Sequence, residues 1–173
     1  SFYTGAMAYS KDLSLKDLQL TKKDLVLISP NDPEAMCKYT CECKELNVPY
    51  LYDPGQQVVR NSPEEIKEGI IHAQSLFIND YEYELIQKHT GMSDKEIRES
   101  VDYVVVTCGR EGSDIWVKDE HYHIPVVKTD QRTDPTGVGD AFRSGFVRGQ
   151  MLGLDWPICG QMGSLAATYC LEK

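Results

Sequence analysis

Tyr103-Val104-Val105-Val106-Thr107 is an uninterrupted run of aromatic and β-branched residues with no alternation between apolar and charged positions. Successive side chains on a strand point to opposite faces, so a strand without alternation must be covered on both sides. Parallel sheets with helices packed on each face provide that cover. The run therefore argues for an α/β chain before anything else is read.

The rest of the chain supplies matching elements. Leu25 to Ser29 reads as a strand ending at Pro30, after which Asp32 caps and Pro33 opens a helix with Met36, Tyr39, Cys43 and Leu46 as its buried stripe. A second strand, Pro49 to Tyr52, stops at Asp53-Pro54-Gly55. Ser62 and Glu65 have capping-box spacing around Pro63, with Ile66, Ile70 and Ala73 as the apolar stripe. Ser75 to Ile78 is a third strand; Asp80 to His89 is helical and ends near Gly91; Ser93 and Glu96 open a short helix. Beyond the Tyr103 strand, Ser113 to Val117 and Tyr122 to Val127 form a predicted hairpin turning at Asp119-Glu120. Helices over Gly139 to Leu152 and Trp156 to Leu171 close the chain. The order βαβαβαβ, hairpin, helices predicts a single three-layer α/β/α domain over residues 1–173, with a mostly parallel sheet.

Charge limits the partners. Against 18 Lys and Arg stand 27 Asp and Glu, a net charge of −9, and no basic run breaks the pattern. Such a surface repels nucleic-acid phosphates and anionic lipid, so neither is an expected partner, and a small anion would need a locally positive site. The longest apolar runs fall far below the roughly 20 residues that span a bilayer. Six irregularly placed cysteines do not make a disulfide scaffold, which favours a reducing, cytoplasmic setting. Cys37, Cys41 and Cys43 sit on one predicted helix without the second ligand pair of a zinc site. His121 and His123 share a strand face beside an acidic turn and read as an exposed hairpin, not a metal site. Phe2-Tyr3-Thr4-Gly5-Ala6-Met7 resembles packed interior, and Tyr169-Cys170-Leu171 lies within a helix, so a piece of a longer chain is expected. An open sheet edge would invite a partner strand, which makes a homodimer one expected state.

The chemistry concentrates in Asp134-Pro135-Thr136-Gly137-Val138-Gly139-Asp140-Ala141-Phe142. Two glycines one residue apart at a loop-to-helix junction let backbone N–H groups converge, and the helix adds the positive end of its dipole. Asp140 then sits in the first turn beside this anion hole, where a carboxylate can act as base toward a hydroxyl while amides stabilise a transferring phosphoryl group. A glycine turn capped by an acid would look the same on spacing alone.

At this point the sequence resembles the ribokinase-like, or PfkB, family of carbohydrate and nucleoside kinases. Asp134 to Phe142 with Gly145-Phe146 is similar to its signature Asp-Thr-x-Gly-Ala-Gly-Asp-Ala-Phe followed by Gly-Phe, with Pro135 and Val138 as departures. Asn79-Asp80-Tyr81-Glu82 resembles its Asn-x-x-Glu, and Thr107-Cys108-Gly109-Arg110-Glu111-Gly112 its Thr-x-Gly-x-x-Gly. The resemblance implies Asp140 as catalytic base, the amides of Gly137, Val138 and Gly139 as the anion hole, and Thr107, Gly109 and Gly112 along the ATP site. It also implies Asn79 and Glu82 as organisers of Mg²⁺ through water. The residues themselves allow plainer readings: an N-cap with its first-turn acid at Asn79 and Glu82, and a turn into the hairpin at Gly109 to Gly112. Phe2 to Met7 and Asp53-Pro54-Gly55-Gln56 look most like the adenosine-kinase-like branch, although a turn explains Asp53 equally well. The family's N-terminal Gly-Gly signature has no counterpart here.

The implied activity is transfer of the γ-phosphoryl group of ATP to a hydroxymethyl group of a sugar or nucleoside. A non-catalytic nucleotide-binding module is the alternative. A dinucleotide-dependent oxidoreductase would need Gly-x-Gly-x-x-Gly after the first strand, where Ser29-Pro30-Asn31-Asp32 stands.

Overall fold

The computed structural model describes residues 5–130 and 133–173; Phe2, Tyr3 and Thr4 of the N-terminal motif lie outside the described residues. Strands and helices follow in the order β1 (Val26–Ile28), α1 (Pro33–Leu46), β2 (Tyr50–Tyr52), α2 (Pro63–Ile71), β3 (Ser75–Asn79), α3 (Asp80–Thr90), α4 (Asp94–Ser100) and β4 (Tyr103–Thr107). The hairpin β5 (Ser113–Val117) and β6 (Glu120–Ile124) comes next, then α5 (Val138–Met151) and α6 (Trp156–Leu171). The strands form one mixed sheet in the order β1-β2-β3-β4-β5-β6. β1 pairs parallel to β2 with Leu27 opposite Leu51, and β2 parallel to β3 with Tyr52 opposite Leu76. β5 and β6 are antiparallel. The chain divides into two compact units, Ser1–Val104 and Val105–Lys173.

In the first unit every predicted cap forms. Asp32 accepts from Ala35 N–H at 3.2 Å, and Ser62/Glu65, Asn79/Glu82 and Ser93/Glu96 are complete capping boxes. Gly91 ends α3 in the left-handed conformation at φ 72°. The core gathers Met36, Tyr50, Leu51, Tyr52, Ile66, Ile70 and Leu76, all essentially inaccessible. Tyr52 needs a gap in the facing helix: a Cβ on Gly69 would stand 2.6 Å from its Cζ, and the Gly69 carbonyl accepts the buried Tyr50 hydroxyl at 2.8 Å.

The stripe of α1 departs from expectation. Met36 and Cys43 are buried, but so are Thr40 and Glu42, while Tyr39 and Leu46 are only half-buried. The cause is the segment before β1, which turns through two 3₁₀ stretches, Gly5–Asp12 and Leu15–Asp17, against α1. Glu42 accepts from Ser14 Oγ and Leu15 N–H, both at 2.7 Å, and Tyr39 donates to the Ser10 carbonyl. A carboxylate that satisfies two donors is stable inside where an unpaired one is not.

In the second unit the hairpin turns one residue earlier than predicted, and its second strand starts at Glu120 instead of Tyr122. Val117 faces Glu120, so the turn is Lys118-Asp119, with Lys118 at φ 54°. β6 ends at Ile124 because Pro125 has no N–H to continue the ladder. α5 and α6 pack closely through glycines: a Cβ on Gly145 would stand 2.5 Å from the Met162 carbonyl oxygen, and one on Gly163 2.9 Å from that of Phe142. Phe146 is fully buried and stacks with Phe142 at 6.2 Å between ring centroids. No helix among the described residues is long and apolar enough to cross a membrane.

Candidate active site

The glycine loop is held from outside itself. Residues 125–130 and 133–136 lie against α6, where Ser164 Oγ accepts from Val127 N–H at 3.0 Å and donates to the Pro125 carbonyl at 3.2 Å. Thr168 Oγ1 donates to the Val127 carbonyl at 3.1 Å, Thr129 Oγ1 to Glu172 Oε1 at 2.6 Å, and Thr133 N–H to the Leu171 carbonyl at 2.9 Å. Asp134 caps the turn by accepting from Thr136 N–H at 2.8 Å, and that backbone bond holds its carboxyl below the usual range.

Gly137 then takes φ 79°, ψ 2° as N-cap of α5, with no side-chain cap bond. A left-handed residue without a capping side chain leaves the first-turn N–H groups facing outward instead of being satisfied locally. Val138 N–H bends back to the Pro135 carbonyl at 3.3 Å, a weak bond for an anion to displace. Gly139 and Asp140 are at the second and third helical positions, whose N–H groups have no intrahelical carbonyl. A Cβ on Gly139 would meet nothing within 4 Å, so this face of the turn is open. The Asp140 side chain is 74% exposed, and its Oδ1 accepts from Arg143 Nη2.

Thr107 closes β4, and the next residues fold as a tight turn: Cys108 N–H donates to the Gly112 carbonyl at 2.8 Å and Glu111 N–H to the Cys108 carbonyl at 3.0 Å. Gly109 is at φ 53° with open space around it. Gly112 is at φ 103°, and a Cβ there would lie 2.1 Å from the Ile124 carbonyl oxygen, so the hairpin itself requires this glycine.

Asn79 and Glu82 are brought together, on each other: Asn79 Oδ1 accepts from Glu82 N–H at 2.8 Å and Glu82 Oε2 from Asn79 N–H at 3.0 Å. They form the N-cap and first-turn acid that spacing alone allowed. Among the described residues no cluster of three or more His, Cys, Asp or Glu could hold a metal by itself. Glu82 Oε1 lies outside the capping box, and a carboxylate oxygen of this kind fits a hydrated Mg²⁺, which keeps several waters and binds through one or two carboxylates and phosphates.

All six cysteines are free, and burial pushes the Cys37 thiol up to about 11 and the Cys43 thiol to about 12. Cys170 is not a core residue; it is half-buried, with Sγ 3.6 Å from the Thr136 carbonyl oxygen. His121 and His123 are exposed and both reach Asp114 Oδ1, at 2.8 and 3.0 Å. Sequence reasoning missed Ser164 and Thr168, whose i, i+4 spacing on an otherwise apolar helix was the available signal, and Arg143, three residues after Asp140.

Comparison with known proteins extends these observations. The pfkB family carbohydrate kinase profile matches residues 2–173. A nucleoside kinase of Methanocaldococcus jannaschii is 33% identical over 171 residues, covering 99% of this chain and 55% of that protein. The structure is similar to that of Burkholderia thailandensis nucleoside kinase in complex with inosine, with TM-score 0.94 and 32% identity over 100% of this chain and 57% of the other. The ADP-inosine complex of that enzyme gives the same TM-score and identity over 54% of its chain. The chain thus spans about half the length of these relatives. With motifs in the family's order, a ribokinase-like fold and a profile match over nearly every residue, the chain belongs to the pfkB family of carbohydrate kinases.

Proposed function

We propose that the protein transfers the γ-phosphoryl group of ATP to a hydroxymethyl group of a nucleoside, with a sugar as the alternative acceptor. The observation that carries this reading is the start of α5, where a solvent-facing carboxylate stands beside a helix N-terminus without a side-chain cap. Asp140 takes the proton of the acceptor hydroxyl as its oxygen attacks the γ-phosphorus, and the bond from that phosphorus to the β–γ bridging oxygen breaks to release ADP. The N–H groups of Gly137, Val138 and Gly139, aided by the helix dipole, offset the charge gathering on the transferring group. Thr107, Gly109 and Gly112 contribute to the ATP site, and the open space at Gly109 supports a close backbone approach there. Asn79 and Glu82 would hold Mg²⁺ through water, and the ion would supply charge neutralisation on the phosphates when bound. Inosine in the B. thailandensis nucleoside kinase favours a purine nucleoside as acceptor, within which the adenosine-like reading falls.

The test is an ADP-release assay on the natural protein with Mg·ATP and a panel of adenosine, inosine, other nucleosides, ribose and fructose phosphates. Release that depends on one acceptor supports the kinase and names its substrate. ATP binding with no release for any acceptor would favour a non-catalytic nucleotide module. Asp140→Asn keeps shape and removes the base; turnover should fall by about 10² to 10⁴, and near-normal turnover would exclude Asp140 as base.

A further inference from the structure

We propose that Arg143 is the positioning residue for Asp140, fixing which carboxylate oxygen is presented to the acceptor hydroxyl. The inference rests on the reading of Asp140 as base.

The pair is lopsided. Asp140 is 74% exposed at its side chain, whereas the Arg143 side chain is 5% exposed. Asp140 is the third residue of α5 and Arg143 the sixth, so the two lie on one face of the helix one turn apart. Burial pushes the Arg143 guanidinium below its usual pKa, yet a guanidinium stays cationic at neutral pH. A cation removed from water needs an anion or acceptor, and its Nη2 donates to Asp140 Oδ1. A guanidinium immobilised by burial and bonded through Nη2 to Oδ1 ties down that oxygen and so restrains the direction in which Oδ2 points. Among the described residues Asp140 Oδ2 has no hydrogen-bond donor, which leaves it as the oxygen available to take a proton. With its Nη2 bonded to Asp140, Arg143 acts through that carboxylate. An exposed carboxylate without such a brace would sample several rotamers, and misplacement by about 1 Å can cost on the order of 10²-fold in rate.

A double-mutant cycle on the natural protein tests this. Arg143→Met keeps the volume and removes the fork. Turnover should fall about 10- to 100-fold, while the KM for ATP stays within about threefold. In an Asp140→Asn background the same substitution should cause no further loss, because the group being positioned is already gone. Arg143→Lys, which keeps charge without the fork, should recover part of the turnover. Losses that multiply in the double mutant would show a merely structural role, and unchanged turnover in Arg143→Met would show no role; either overturns the proposal. If Arg143→Met does not fold, the cycle is run with Arg143→Lys, whose smaller loss must likewise vanish in the Asp140→Asn background. Near-normal turnover in Asp140→Asn alone would instead sink the base assignment, a failure the cycle separates from that of Arg143.

Discussion

Gly139 separates folding from function more cleanly than any other residue of the loop. It lies inside α5 and a Cβ there would meet nothing within 4 Å, so neither strain nor a clash opposes alanine. Helix propensity favours alanine over glycine by up to about 1 kcal/mol. Gly139→Ala should therefore leave the unfolding midpoint unchanged or slightly raised; if the proposed anion hole operates, it should also weaken ATP affinity or turnover at least about tenfold, because the methyl would fill the open side of the turn from which a phosphate would reach the amides. Urea denaturation and initial-rate kinetics on one preparation check both halves; intact kinetics would remove Gly139 from the anion hole. Gly112 is the contrasting case, since its φ of 103° and the Ile124 carbonyl make it structural whatever binds nearby. A sequence shows both as glycines in similar turns. What stands opposite the missing Cβ tells them apart: open space at Gly139 and a backbone carbonyl at Gly112.

Elements repeat this division. Capping boxes at Ser62, Asn79 and Ser93 were legible because each is completed within four residues of chain. The α1 stripe was not, because the partners of Glu42 are the Ser14 hydroxyl and the Leu15 N–H nearly thirty residues away, and no local pattern announces them. The hairpin turn slipped for a different reason: Lys118 adopts a positive φ without being glycine, so the usual turn signal was absent. The α5–α6 contact yields a prediction at this scale. Gly145→Ala would place a methyl 2.5 Å from the Met162 carbonyl oxygen and 2.9 Å from Ala166 Cβ. Backbone cannot yield as a flexible side chain can, so destabilisation of about 1–3 kcal/mol is expected in equilibrium denaturation. A variant as stable as wild type would mean that the two helices have room to separate.

For the molecule as a whole, the acid side of the stability curve follows from its carboxylates. Ser62 N–H holds Glu65 below its ordinary pKa and the Ser93 hydroxyl does so for Glu96. At Asp94 and Asp114 burial pushes upward, but Arg98 with Tyr83, and His123 with His121, outweigh it and leave both carboxyls lowered. A lowered folded-state pKa means stability that is present above the unfolded value and lost as pH falls through the folded one. Unfolding free energy should thus decline between about pH 5 and pH 3, against the relief of repulsion that protonating a chain of net charge −9 brings. Chemical denaturation at three pH values reads this directly, and stability rising toward pH 3 would show that net repulsion dominates. The sequence by itself determined what depends on neighbours in the chain: the βαβ order, the helix caps, the doubly covered β4 and the loop that opens α5. Tertiary structure alone decided what depends on packing between distant segments: that Glu42 is buried, that Ser164 and Thr168 hold Pro125 and Val127 beyond the end of β6, and that Arg143 lies under an exposed Asp140. Those outcomes turn on which surfaces lose water, and a residue's exposure is a property of everything folded around it.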